Sequence, residues 1–263
     1  MNTKLPFMVA LLGLAGCGGV LPTPSIELLA HPGFDTWRYP GDELMNSWRG
    51  ASPYRWIGYY LPSPCHRDAS FSGKRPFLTQ TGWGIAVLYV GQQTFEGEPP
   101  AELTESTLCS SILLTAERGE ADGRDAVQRA AVEGFPAGTT IFLDIERMQN
   151  VAPAMISYYE SWLRTVIADG RYRPGTYAHL SNAAALYTIA QRVVGPDRQV
   201  PFWVAGGSDF SLGSRPEDVG YRFAAIWQGV LDTRRTWGGR TLVVDENVAG
   251  SGSPSAPTAT LTP

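Results

Sequence analysis

The sequence predicts an α/β protein: an irregular (β/α) barrel of eight strands, TIM-like, helix-backed for the first five strands and loop-connected for the last three. Three observations predict it. Eight short runs of apolar, β-branched and aromatic residues recur between Pro32 and Asn247. The early runs alternate with segments of helical periodicity, which favours a parallel sheet, and eight such strands favour closure. The late gaps hold Gly213, Pro216 and Gly220, then Gly238 and Gly239, and neither fits a crossover helix.

In chain order, Pro32–Asp35 reads as the first strand and Asp42–Arg49 as a short helix behind it. Arg55–Leu61 and Gly84–Gly91 are the second and third strands. Gly123–Glu133 reads as helical, with Gly134 as its stop. Thr139–Glu146 is the fourth strand, a buried-type run ending in two acids. The helix over Pro153–Ala168 has Pro153 in its first turn, and Met155, Tyr158, Tyr159, Trp162 and Val166 recur at helical spacing before Gly170 closes it. Those aromatics belong to the core. Gly175–Ala178 is the fifth strand, and Ser181 can cap the helix Asn182–Val194, which Gly195 and Pro196 end. Pro201–Ala205, Arg222–Gln228 and Thr241–Asn247 complete the set without helices between them.

Residues 1–16 read as a lipoprotein signal peptide. Lys4 precedes an apolar run from Leu5 to Leu14, too short for a membrane span. The run closes on Leu14-Ala15-Gly16-Cys17, which resembles a bacterial lipobox and implies cleavage before Cys17 with lipid on its sulfur and new amino group. The expected arrangement is an exported chain anchored to the membrane through lipidated Cys17. It would face the periplasm from the outer membrane in a Gram-negative host, or sit on the cell surface otherwise. Residues 17–29 are then a tether, 30–249 the barrel, and 250–263 a Ser/Pro/Thr-rich tail expected to be disordered.

Composition excludes several classes. Cleavage removes Lys4 alone among charged groups, moving the net charge from −4 to −5, and no basic stripe is present to recruit nucleic acid. His31, His66 and His179 form no ligand-spaced cluster and no C-x-x-C pair occurs, so no metal and no cofactor are expected. With Cys17 lipidated, Cys65 and Cys109 remain. An even remainder in an exported chain suggests one disulfide, two free thiols being the alternative. The chain is expected to be a monomer.

Chemistry concentrates at strand ends. Asp144 and Glu146 are two apart on a strand and therefore share a face. Two converging carboxylates suit glycosidic bond cleavage, one as proton donor; the alternative is a solvated strand end paired to a base such as Arg147. In barrels the C-terminal strand ends carry the site. Read that way, Asp35 ends strand one, Asp144 and Glu146 strand four, and Asp245 and Glu246 strand eight. Strands one and eight are neighbours on closure, so Asp35 and Asp245 should lie side by side, facing strand four. Trp37, Tyr60, Tyr89, Tyr177, Trp203 and Trp227, with Gln92 and Gln228, form the expected substrate-binding set, since sugar C–H faces stack on rings while hydroxyls find amides. Gln93 adds a further amide, and ordinary barrel packing is the alternative for any single aromatic.

Gly33-Phe34-Asp35, Leu143-Asp144-Ile145-Glu146, Trp203-Val204-Ala205, Trp227-Gln228 and Val244-Asp245 occur in the order seen in glycoside hydrolase family 25, the Chalaropsis-type lysozymes. With Gly58-Tyr59-Tyr60, Cys65, Trp83 and Tyr89-Val90-Gly91-Gln92, the chain resembles still more closely the bacterial glycoside hydrolase-like domain found in secreted proteins. The resemblance implies an irregular barrel acting on peptidoglycan or a related N-acetylated glycan of the cell wall, or a module that binds such a glycan without turnover. It implies Glu146 as general acid, Asp144 as the group that orients a 2-acetamido substituent or steadies positive charge, and Asp35 and Asp245 as supports. Glu146 must hold a proton near neutrality, and Asp144 is the neighbour expected to supply the like charge that raises it. The chain departs from the lysozyme pattern at Thr36-Trp37, where Ser and Gln are common, and in the long segment from Gln92 to Asp122. A Cys65–Cys109 bond would pin that segment over the barrel opening. Asp144, Glu146 and Asp245 offer oxygen ligands suited to calcium or magnesium, but such a cluster needs no metal and none is assigned.

Overall fold

A computed structural model describes Met1, residues 30–94 and residues 109–257. Cys17, the signal over residues 2–16 and the tether to residue 29 lie outside the described residues. Among the described residues the expected eight strands are present: β1 (His31–Asp35), β2 (Trp56–Tyr60), β3 (Gly84–Val90), β4 (Thr140–Ile145), β5 (Arg173–His179), β6 (Phe202–Ala205), β7 (Ala224–Trp237) and β8 (Arg240–Ala249). They close into a barrel in sequence order. Strands β1 to β7 run parallel, whereas β8 is antiparallel to both of its neighbours.

Helices back the first part of the barrel: α1 (Asp42–Ala51), α2 (Arg75–Gln80), α3 (Ala116–Val132), α4 (Pro153–Asp169) and α5 (Leu180–Val194). The β2–β4 segments are buried on both faces because side chains fill the lumen inside and meet helices outside. On the outside, Phe34 packs against Trp48 of α1, Tyr54 and Trp83, with ring centroids 5.1–5.7 Å apart. Inside, Trp56 stands edge-on to Trp203 at 5.5 Å, and Phe142 edge-on to Trp203 at 5.9 Å. Gly33 is required there: a Cβ would fall 2.1 Å from the Trp56 indole.

Three expectations are corrected. α3 begins seven residues before Gly123, capped by Thr115, whose hydroxyl accepts from the Arg118 N–H. Gly119 and Gly123 look like breakers in sequence but are contact points. A Cβ at Gly119 would strike the Tyr158 carbonyl of α4 at 2.2 Å. The gap expected as a loop between the last two strands is instead a ribbon: β7 and β8 continue past the barrel and turn at Gly238 and Gly239, both at positive φ. The tail expected to be disordered from Gly250 is ordered to Pro257. Ser255 and Ser253 hydroxyls accept from the Val87 and Ile85 N–H groups, the Ser255 N–H donates to the Ile85 carbonyl, and the Thr140 N–H donates to the Ser255 carbonyl. The tail thereby fills the lower gap between β3 and β4, because hydroxyls substitute there for a missing strand.

Candidate functional site

The barrel mouth is the end where the parallel strands stop. Asp35 closes β1 and Asp144 lies near the end of β4; both are buried. Glu146 follows β4 and is exposed at the rim. Asp245 reaches the mouth although it is mid-strand, because β8 runs backwards and pairs Asp245 directly opposite Asp35. The expected neighbourhood of Asp35 and Asp245 is therefore observed, for a different reason than a C-terminal strand end. Glu246 points the other way. It accepts from the Tyr54 hydroxyl at 2.5 Å and pairs with Arg235 at 2.7 Å, outside the lumen.

Asp35 is the hub of a hydrogen-bond network. It accepts from the Tyr60 hydroxyl, the Gln228 amide and the Asn247 amide, each at 2.8 Å. Gln228 also donates to Asp245 at 3.3 Å and accepts from the Tyr177 hydroxyl at 2.7 Å. Trp203 donates its indole N–H to Asn247 at 2.9 Å. Asp245 further accepts from the Asp232 N–H at 2.7 Å. Asn247 was not among the expected residues, yet it lies two positions after Asp245 on the same face, which is the signal that could have found it.

All four carboxyls are pushed toward their protonated forms. Burial raises Asp35 to about 6, against the pull of its three hydrogen-bond donors, and the charge of Glu146 adds to the rise. Asp245 is raised to about 7 by burial and then by Asp35. Burial pushes Asp144 well above the usual carboxylate range, with Glu146 and Asp35 adding to it. Its Oδ1 is buried and has no hydrogen-bond partner among the described residues. Glu146 is raised by the crowding of the mouth walls, held back by the Arg147 N–H, and raised further by Asp245. Like charge thus reaches this pair from both sides of the mouth: Asp144 and Glu146 repel each other along one strand end, and Asp245 adds to Glu146 from across it. The strand end itself is fixed by Gln93, which donates to the Asp144 carbonyl and accepts from the Glu146 N–H, both at 2.9 Å.

The expected aromatic and amide set divides. Tyr60, Tyr177 and Gln228 line the mouth through the contacts above. Trp37 stands at the rim, 37% exposed, edge-on to buried His66 at 4.2 Å. His66 has no partner for either ring nitrogen among the described residues, and burial lowers it to about 4, so it is neutral. Trp203 is wholly buried and forms the floor. Three residues are not brought to the mouth. Tyr89 faces outward and donates to Asp125 of α3 at 2.9 Å. Gln92 is buried against α3 and α4: its N–H donates to the Tyr158 hydroxyl, and its side chain accepts from the Ser110 N–H at 2.9 Å. Trp227 turns outward beneath Phe210, donating to the Gly206 carbonyl at 2.7 Å. Cys65 and Cys109 form the expected disulfide, tying the β2 exit to the segment that precedes α3. No three His, Cys, Asp or Glu among the described residues are placed to hold a metal.

A family model for the Rv2525c-like, glycoside hydrolase-like domain matches residues 46–249. No curated protein matches the sequence. The Clostridium perfringens spore cortex lytic enzyme SleM aligns at TM-score 0.55 and 12% identity, over 86% of this chain and 68% of that one. The Mycobacterium tuberculosis Tat-secreted protein Rv2525c, in complex with L-tartrate, aligns at 0.52 and 17%, over 82% and 94%. The Streptococcus pneumoniae autolysin LytC, in complex with a synthetic peptidoglycan ligand, aligns at 0.54 and 12%, over 83% of this chain and 46% of that one. At these identities the structural likeness is one of fold.

Proposed function

The chain belongs to the Rv2525c-like, glycoside hydrolase-like family, and from that premise we propose that it hydrolyses a cell-wall glycan, peptidoglycan or a related N-acetylated polymer, with Glu146 as proton donor. One observation carries the reading: the carboxyls of Asp35, Asp144, Glu146 and Asp245 share one barrel mouth and each is raised toward its acid form. A general acid must hold its proton near neutrality and reach the leaving oxygen. Two features support Glu146 in that role: its carboxyl is raised toward the acid form, and it lies exposed at the rim.

In this reading the Glu146 proton passes to the glycosidic oxygen as its bond to the anomeric carbon breaks. Water adds to that carbon and gives its proton to the carboxylate cluster. Asp144 orients a 2-acetamido group or steadies positive charge, its buried Oδ1 having no donor among the described residues. Asp35, already bound by three donors, acts as an anchor for Tyr60, Gln228 and Asn247. Trp37 and Tyr177 offer ring faces to the sugar.

The test is reducing-end release from purified peptidoglycan. Glu146→Gln keeps shape and hydrogen bonding but cannot donate the proton, and the rate should fall by about 100-fold or more. Equal release by the variant would remove Glu146 from the role. Saturable binding with no release by wild type would leave a glycan-binding module.

A further inference from the structure

Strand β3 stops at Val90, which pairs with Asp144 as the last rung of its ladder with β4. Beyond that rung, the Asp144 carbonyl and the Glu146 N–H have no strand partner on the β3 side. The Gln93 side chain takes both, donating through Nε2 and accepting through Oε1, each at 2.9 Å. One primary amide thus imitates a further residue of a parallel strand. Its position is almost wholly buried, where an apolar side chain would pack as well and satisfy neither backbone group.

The clamp is itself held. Gln92 anchors the same turn through the Tyr158 hydroxyl and the Ser110 N–H. Ser110 follows Cys109, which is bonded to Cys65 at a Cα–Cα distance of 5.0 Å. The β3 exit is therefore tied to the β2 exit on one side, through the Ser110 hydrogen bond and the neighbouring disulfide, and by an amide to the β4 end on the other.

We propose that Gln93 is the positioning residue of the mouth, setting the aim of Glu146 by fixing the backbone on both sides of Ile145. This rests on the reading of Glu146 as proton donor. Gln93 touches no reacting atom and acts through Glu146. The groups that face Glu146 are Asp35 from β1, Tyr177 from β5, Asp245 from β8 and Asp144 on its own strand.

The test compares wild type with Gln93→Leu and Gln93→Glu. Its readouts are reducing-end release, its pH profile, and the titration of the Glu146 carboxyl by carbon NMR. Gln93→Leu keeps the volume and removes both hydrogen bonds. We expect kcat to fall on the order of 100-fold, KM to change little, and the Glu146 titration to shift. Gln93→Glu is the rescue arm. Ionised, it repels the Asp144 carbonyl; protonated, it can donate to that carbonyl and accept from Glu146 again. Its activity should therefore climb toward wild type as pH falls, which a merely structural role would not produce. Lower thermal stability with an unmoved Glu146 titration and an unmoved pH profile would overturn the proposal. Should wild type release no sugar, the hydrolase reading fails, and the titration in Gln93→Leu still decides the positioning. If Gln93→Leu does not fold, the Glu146 titration in Gln93→Glu, compared with wild type, decides in the same way.

Discussion

At the scale of single residues, the mouth concentrates negative charge where burial makes charge costly. Asp35 and Asp245 carry pKa values near 6 and 7, above the ordinary 3.8. A carboxyl raised on folding binds more protons in the native state than in the unfolded one. Its contribution is therefore fully present below about pH 4 and is lost as pH rises through the raised values. Thermal stability should decline between about pH 4 and pH 7 as the pair ionises, with acid titration elsewhere superimposed. Asp245→Asn should flatten that decline, and melting curves across the interval check it. An unchanged slope would mean that Asp245 is not raised. This cost is the structural counterpart of the proposed chemistry, since a site that holds protons near neutrality is a site that resists ionisation.

At the scale of elements, two short pieces do more than their composition suggests. The ordered tail supplies hydrogen bonds to Ile85, Val87 and Thr140, where β3 and β4 part. Ending the chain at Gly250 instead of Pro257 should cost roughly 2–4 kcal/mol, at about 1 kcal/mol per hydrogen bond lost. Denaturant unfolding of the two chains measures it, and equal midpoints would show that the tail contributes nothing. Ser/Pro-rich composition hid this role, because a strand substitute needs only a few hydroxyls and carbonyls in the right place. The β7–β8 ribbon was hidden differently. Gly238-Gly239 rules out a helix in that gap, and the same pair is the signal of a two-residue hairpin. The hairpin reverses β8, which is what carries Asp245 to the mouth. By contrast, α4 and α5 were legible because their apolar spacing and their glycine stops agree.

At the scale of the whole molecule, the closed barrel and its acid cluster were legible from period two at β4 and from strand count. The parity of neighbouring strands was not. Trp227 and Gln228 are consecutive, so both cannot face the lumen; register assigns the inward place to Gln228, opposite Ala205. Tyr89 loses its place the same way, since Val90 is the residue level with Asp144. These placements depend on pairing between distant segments, which no local pattern carries. The proposed envelope location belongs to this scale too. Lipid on Cys17 should hold the protein in the membrane fraction, and Cys17→Ala should release it from that fraction; a soluble wild type would contradict the anchor. No helix of the described residues is long and apolar enough to cross a membrane. The most direct test of the central claim is reducing-end release from purified peptidoglycan by wild type and Glu146→Gln, followed from acid to alkaline pH. The account predicts release by wild type that falls with rising pH as the mouth carboxyls ionise and a variant reduced about 100-fold or more throughout. Release that is equal in the two proteins would contradict it.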